Sequence, residues 1–322
     1  MSGRRSVHVL ASPVVLSALA IAASSCGSTE QTSAGPASSS QAQGARNVPL
    51  VIDALNEPGL PRNFRIAAPS QPTKGGQSVD LTGLAELRES GSGVFSAAGL
   101  RTIRDKIGAS PIVDVDLRQE SHLYVNGIAV SWFGKNDDAN LGMSYDQVLA
   151  DEGAKKAELV GAPTVKFAYI AGKSVQPNGR VGNPKVVQTE QEVADAAGFG
   201  YFHLTVPDHY RPQNEQVDRF VAFVRDLPPN TWLHFHCRAG VGRTTTFMAM
   251  YDMLRDAKTL SMNDILRRQV AVGGKDLLGG DVSGNDNKTE RVQFLRQFYD
   301  YAQTNLDGFQ TPFNGWLAAG GR

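Results

Sequence analysis

The 322-residue chain balances 32 basic against 32 acidic side chains, and 41% of its residues are hydrophobic, a composition that supplies a core of ordinary size. Neutrality excludes wholesale attraction to nucleic acid or an anionic surface, so any affinity for an anion must come from local clustering. With cysteine only at positions 26 and 237, the body of the chain has no internal disulfide framework.

Arg4 and Arg5 precede an apolar stretch from Val9 to Ala23 that runs into Ser24, Ser25 and Cys26. The stretch is short for a membrane span and holds Pro13, and small residues follow it, which is the layout of an export signal. Ala23-Ser24-Ser25-Cys26 resembles a bacterial lipobox, which predicts a lipoprotein-type signal over 1–26, a lipid on Cys26, and an exported, membrane-anchored protein facing the periplasm or the cell exterior. An ordinary secretory signal that leaves Cys26 unmodified or removes it is the alternative. Residues 27–46 are Ser, Ala, Gly and Gln with few large apolar side chains, a composition that reads as a flexible tether.

The body reads as an α/β fold. Pro111 to Leu117 alternates apolar and acidic residues and predicts a strand. Asn126-Gly127, set between Leu123-Tyr124-Val125 and Ile128-Ala129-Val130, predicts a hairpin. Further strands are expected at Thr164 to Ala171 and Pro184 to Gln188, so 120–188 reads as a small antiparallel unit inserted into a core formed by 47–119 and 189–322. Three helices follow from apolar residues at helical spacing. One carries Val217, Phe220, Val221 and Val224, the next Phe247, Met250, Tyr251 and Leu254, and the last, over Thr289 to Gln303, Val292, Leu295, Phe298, Tyr299 and Ala302.

Between the first two helices, the strand-like Trp232-Leu233-His234-Phe235-His236 ends at Cys237-Arg238-Ala239-Gly240-Val241-Gly242-Arg243-Thr244. A tight loop between a strand and a helix N-terminus aims successive backbone N–H groups at one centre and favours an anion there. Gly240 and Gly242 are expected to allow the close approach and positive φ angles. Arg243 offers a planar fork to two phosphoryl oxygens. In such a field the Cys237 thiol is expected to ionise below its free value and act as nucleophile, with Thr244 donating to the sulfur and His236 fixing the loop. Asp208, in the Pro-bracketed turn Val206 to Pro212, is the candidate general acid. Asn287 reads as the cap of the last helix with Glu290 at the capping-box position, which places the cations Lys288 and Arg291 against the helix dipole and suits a bound anion.

The run HCRAGVGRT behind a P-D-H loop resembles the protein tyrosine phosphatase superfamily. Three more stretches narrow the resemblance to the bacterial protein-tyrosine-phosphatase-like phytases: Leu60-Pro61-Arg62-Asn63-Phe64-Arg65, Asp114 to His122, and Val187 to Ala194. It runs from about Pro61 to Trp316. The resemblance implies a phosphatase-type α/β core carrying an inserted small partial β-barrel, hydrolysis of inositol hexakisphosphate, and no metal or other cofactor. It makes Cys237 the nucleophile, Arg243 the phosphate clamp and Asp208 the acid. Arg65, Asp116, Lys173, His209, Lys288 and Arg291 are placed around the substrate, with the loop residues Arg238, Ala239, Gly240, Val241 and Gly242 holding the phosphate. The expected partner is thus a small polyanionic substrate, with no nucleic acid and no membrane contact beyond the lipid. A phosphotyrosine phosphatase would use the same catalytic residues, and a silent phospho-ligand-binding lipoprotein would use the cradle alone.

Overall fold

The computed structural model describes residues 48–68, 79–108, 111–171, 174–279 and 286–321. The export signal, the tether, Cys26 and Lys173 lie outside these residues. The elements follow the order β1 (Leu50–Ala54), β2 (Arg65–Ile66), β3 (Glu89–Gly93), α1 (Ala97–Ile107), β4 (Ile112–Arg118), β5 (His122–Val125), β6 (Ile128–Trp132) and α2 (Tyr145–Gly161). The chain continues through β7 (Thr164–Ala171), β8 (Ser174–Gly182), β9 (Val187–Gln188), α3 (Glu190–Ala197), β10 (Gly200–Val206), α4 (Asn214–Arg225) and β11 (Trp232–Cys237). It closes with α5 (Gly242–Asp256), α6 (Met262–Ala271), α7 (Asp286–Thr304) and α8 (Phe313–Ala318). Among the described residues no helix is long and apolar enough to cross a membrane.

Five strands form the sheet that carries the site, in the order β10-β4-β11-β3-β2. Strands β10, β4, β11 and β3 run parallel, and β2 closes the edge antiparallel to β3. Strand β11 lies between β4 and β3, so both its backbone edges are paired and its end is fixed. Alternation along it sorts the side chains. Leu233, Phe235 and Cys237 join the core beneath α4, α5 and α7, whereas His234 and His236 turn to the opposite face, near Phe95. There α1 and α3 pack a second core through Leu100, Ile103, Val193 and Ala197.

The predicted faces of α4 and α5 are buried. In α7 the buried stripe also takes in Phe294 and Tyr301, with Val292 and Tyr299 at its edge. The helix begins at Asp286, so Asn287 lies inside its first turn and does not cap it. Glu290 pairs with Arg211 (2.9 Å) rather than closing a capping box.

A second sheet has the order β8-β7-β1-β6-β5-β9. The expected unit over 120–188 is corrected in three respects. Strand β1, from the segment before it, sits at the sheet's centre, antiparallel to β6 and parallel to β7. The 17-residue helix α2, begun by a Ser144–Gln147 capping box, lies within the unit. The strand expected over Pro184 to Gln188 is paired only at Val187–Gln188.

Candidate active site

Helix α5 starts directly from the loop after β11, and no side chain caps its first amides. Those unpaired N–H groups favour an anion at the loop centre. The loop's carbonyls are held from outside, in sequence order. Arg62 Nη2 donates to Arg238 O (2.5 Å), Asn63 Nδ2 to Ala239 O (2.8 Å) and Arg65 Nη1 to Gly240 O (2.8 Å). Because a peptide is planar, turning its C=O outward turns the N–H inward. Gly240 takes φ +74°, and a Cβ there would stand 2.2 Å from Gly93 N, so only glycine fits. Gly242, expected to share the left-handed conformation, does not adopt it; a Cβ there would lie 3.8 Å from Arg291 Nη1.

Cys237 is 2% exposed at the base of the loop. Its Sγ accepts hydrogen bonds from Gly240 N (3.3 Å) and Thr244 Oγ1 (3.2 Å). Arg243 is buried and gripped end-on by Glu120, with Nη1 at 2.6 Å and Nη2 at 2.9 Å from the carboxylate oxygens, and Nη1 also donates to Val206 O (3.0 Å). Burial would lower the guanidinium, but Glu120, Asp208 and Cys237 outweigh it, so Arg243 stays charged. Glu120 and the carbonyl use three of its five N–H groups. Nε–H and the second Nη2 hydrogen form the remaining side-on fork, which suits two phosphoryl oxygens.

Asp208 stands across this fork, with Oδ1 3.3 Å from Arg243 Nε and Oδ2 3.3 Å from His209 Nε2. Burial alone would raise its carboxyl, yet Arg243, His209 and Arg291 prevail and hold it below the ordinary carboxylate range. His209 itself has φ 68° and is mostly exposed. Arg291 is 7% exposed, donates Nη2 to Tyr210 O (3.1 Å) and has no partner on Nε. Lys288 is exposed in the same first turns of α7. A cavity of about 270 Å³ beside Asp208 is lined by Asn136, Asp138, His209, Tyr210 and Asn287.

Residues 115–255 match the family described as PTP-like phytase, inositol hexakisphosphate. The PTP-like myo-inositol phosphatase of Mitsuokella multacida, solved with myo-inositol-(1,3,4,5)-tetrakisphosphate, is 37% identical, with a TM-score of 0.80 over 85% of this chain and 48% of that one. A PTP-like phytase from Bdellovibrio bacteriovorus is 32% identical with a TM-score of 0.67, and the match covers 85% of this chain and 96% of that one. The chain belongs to the PTP-like phytases. Effector protein hopD2 of Pseudomonas syringae pv. tomato is 31% identical over 280 residues, 84% of this chain and 59% of that protein. This phytase-family chain thus spans about half the length of the Mitsuokella protein and under two thirds of hopD2.

Three residues expected to touch substrate in this PTP-like phytase do other work. Asp116 is fully buried behind the loop, bound to Arg118 Nε (3.2 Å), His122 Nε2 (2.9 Å) and Tyr201 OH (3.1 Å). Arg65 is 5% exposed and donates Nη1 to Asn63 O and Gly240 O and Nη2 to Thr245 Oγ1, with Nε left without a partner and burial bringing its pKa down to about 10. Arg238 points away to Asp53 Oδ1 (2.8 Å) and stacks 4.8 Å over Phe133. Of the two arginines in one hexapeptide, Arg62 is the exposed one.

Behind the loop, His236 Nε2 meets Glu190 Oε1 at 2.5 Å, and Glu190 in turn holds Arg118. His236 thus touches the buried ionic network behind the loop. Burial and Arg118 would lower His122, but Asp116 and Glu152 outweigh them and raise its pKa to about 10. The trios Asp114–Glu190–His236 and Asp116–His122–Glu190 bring potential metal ligands within 4.8 Å of one another. Arg118 and the protonated His122 already balance charge in the second. Sequence reading missed Glu120, Glu190, Asn63 and Asp53 as site residues. Glu120 and Glu190 lie inside the quoted family stretches, and nothing linear announces their distant partners.

Proposed function

We propose that this chain hydrolyses phosphate monoesters of inositol polyphosphates, with inositol hexakisphosphate as substrate, through a phosphocysteine on Cys237. The observation that carries the reading is the placing of Asp208 Oδ1 3.3 Å from Arg243 Nε, the edge of the guanidinium that Glu120 does not use, on the loop whose Gly240 amide and Thr244 hydroxyl donate to Cys237 Sγ. The inositol tetrakisphosphate bound by the 37% identical Mitsuokella protein supports the substrate class.

In the first step the Cys237 thiolate attacks phosphorus, the P–O ester bond breaks, and the leaving oxygen takes the Asp208 proton. Loop amides and Arg243 hold the charge of the transferring group. In the second step Asp208 takes a proton from water, the water oxygen attacks phosphorus, and the P–S bond breaks. Thr244 donates to the departing sulfur, and inorganic phosphate leaves. The test is phosphate release from inositol hexakisphosphate and from phosphotyrosyl peptides by the purified chain, alongside Cys237→Ser. Faster release from the inositol substrate, abolished in the variant while substrate binding persists, is expected. Preference for the peptides would overturn the substrate assignment, and turnover by Cys237→Ser the covalent route.

A further inference from the structure

Asp208 sits in the acid loop over 207–213, between β10 and α4. The backbone of this loop does little to hold itself. Its turn hydrogen bond, from Tyr210 N to Pro207 O, is 3.4 Å long, beyond the usual range for an amide donor. Pro207 and Pro212 have no N–H to give. His209, next to the acid, takes φ 68°, a region that residues other than glycine rarely occupy. A loop with these features keeps one shape only if its surroundings fix it.

Arg211 ties the loop to its surroundings from within. Its Nε donates to Glu290 Oε1 (2.9 Å) on α7, and its Nη1 donates to Asn214 Oδ1 (2.8 Å) at the start of α4 and to Pro212 O (2.9 Å). The guanidinium also lies 5.6 Å from the ring centre of Phe294. Glu290 and Phe294 are four residues apart and so share one face of α7, which lets an acid and a ring grip the same side chain. Phe294 is 2% exposed and belongs to the core that includes Cys237. One arginine thus fastens the acid loop to two helices, and α7 anchors it to the core that holds the nucleophile. With side chains 29% and 50% exposed, the Arg211–Glu290 pair contributes little to stability. What it fixes is direction, because a planar fork engaged on two edges and set against a ring has little freedom left.

We propose that Arg211, held by Glu290, is a positioning residue for the general acid, keeping Asp208 at the edge of Arg243 without itself touching the phosphate. The assignment rests on the reading of Asp208 as the acid. Its effect is confined to the step that needs a proton. A displaced Asp208 slows departure of a basic alkoxide and matters little to a leaving group that departs unprotonated, while Cys237, the loop amides and Arg243 act as before.

The experiment measures kcat/KM, which reports the steps up to the phosphocysteine, on glycerol 2-phosphate and para-nitrophenyl phosphate, two monophosphates of like charge. The chains compared are wild type, Arg211→Ala, Glu290→Gln, Asp208→Asn and the double variant Arg211→Ala/Asp208→Asn. Arg211→Ala is expected to lose about tenfold more on the alkyl ester than on the aryl ester. The loss is partial because Arg291 Nη2 still holds Tyr210 O. Glu290→Gln, an exposed change that leaves the core untouched, should lose about threefold more on the alkyl ester, and it decides the matter if Arg211→Ala fails to fold. Added to Asp208→Asn, Arg211→Ala should cost the alkyl ester nothing further, since an acid already removed cannot be misplaced. Equal losses on the two esters, or none, or a full further loss in the double variant, would overturn the inference and leave the role of Asp208 intact. If Asp208→Asn itself slows both esters equally, the acid assignment falls and this inference with it.

Discussion

Asp208 faces two demands. Its surroundings favour the carboxylate in the free protein, while the proposed role of general acid requires it to carry a proton. A phosphate dianion bound at Arg243 places negative charge beside Asp208 and engages the guanidinium that had stabilised its ionised form, so substrate binding raises the carboxyl's affinity for a proton. Because the free group is protonated only at low pH, kcat/KM for an alkyl phosphate is expected to rise as the medium becomes acidic. Asp208→Asn should remove that dependence and slow inositol phosphate hydrolysis by about 10²-fold or more, with a much smaller loss on an aryl phosphate whose leaving group needs little protonation. Pre-steady-state and steady-state rates across pH on both substrates check this. Similar losses on the two would take Asp208 out of the acid's role.

At the level of elements, the phosphate loop is a product of β11, α5 and the short strap that ends in β2. The strap's three donors reach three consecutive carbonyls, and Arg65 in addition ties Thr245 to the loop. Arg65→Ala therefore removes two buried contacts and leaves acceptors unpaired, at a cost of about 1–3 kcal/mol for each unsatisfied group. The expected result is a lowered urea midpoint and a kcat reduced by about 10²-fold through misplacement of the amides. Arg65→Lys should recover little, since a point charge cannot serve two separated acceptors. Activity undiminished in Arg65→Ala would show that α5 alone orders the loop. The strap also marks what the sequence conveyed and what it withheld. Strands β4 and β7, the hairpin, the buried faces of α4 and α5, and the nucleophile loop were legible because periodicity and turn chemistry are local. Strand β3 was not, since Glu-Ser-Gly-Ser-Gly contradicts strand propensity; its glycines answer to neighbours, with Met248 Sδ 2.6 Å from a Cβ on Gly91 and Arg62 Cγ 2.8 Å from one on Gly93. The roles of Arg65 and Asp116 were misread for a related reason. A motif places residues near a site but does not say whether they face the substrate or lie behind the loop.

For the whole molecule, the buried ionic network between β4, β5 and α3 makes stability depend on pH. His122 binds its proton more tightly in the folded protein, where its pKa is about 10, than in the unfolded chain, where it is about 6.5. Its contribution is complete below about pH 6.5 and is lost as the pH rises through about 10. Urea unfolding of the wild type should give falling stability between pH 7 and 10, and His122→Gln should be weaker at pH 7 with a flatter profile. Parallel profiles would place the dependence elsewhere. One contact also reaches from the second sheet into the catalytic loop: Asp53, on β1, holds Arg238 while Phe133 covers its guanidinium. That contact makes the two sheets a poor place to cut. A chimera that takes its 48–54 segment from one relative and its cysteine loop from another inherits three reacting groups intact, yet it functions only if both parents agree on the pair at positions 53 and 238. Shuffling experiments within this family should accordingly yield active recombinants in proportion to that match, and a shortened phosphatase built by excising the six-stranded sheet would require a new anchor for Arg238.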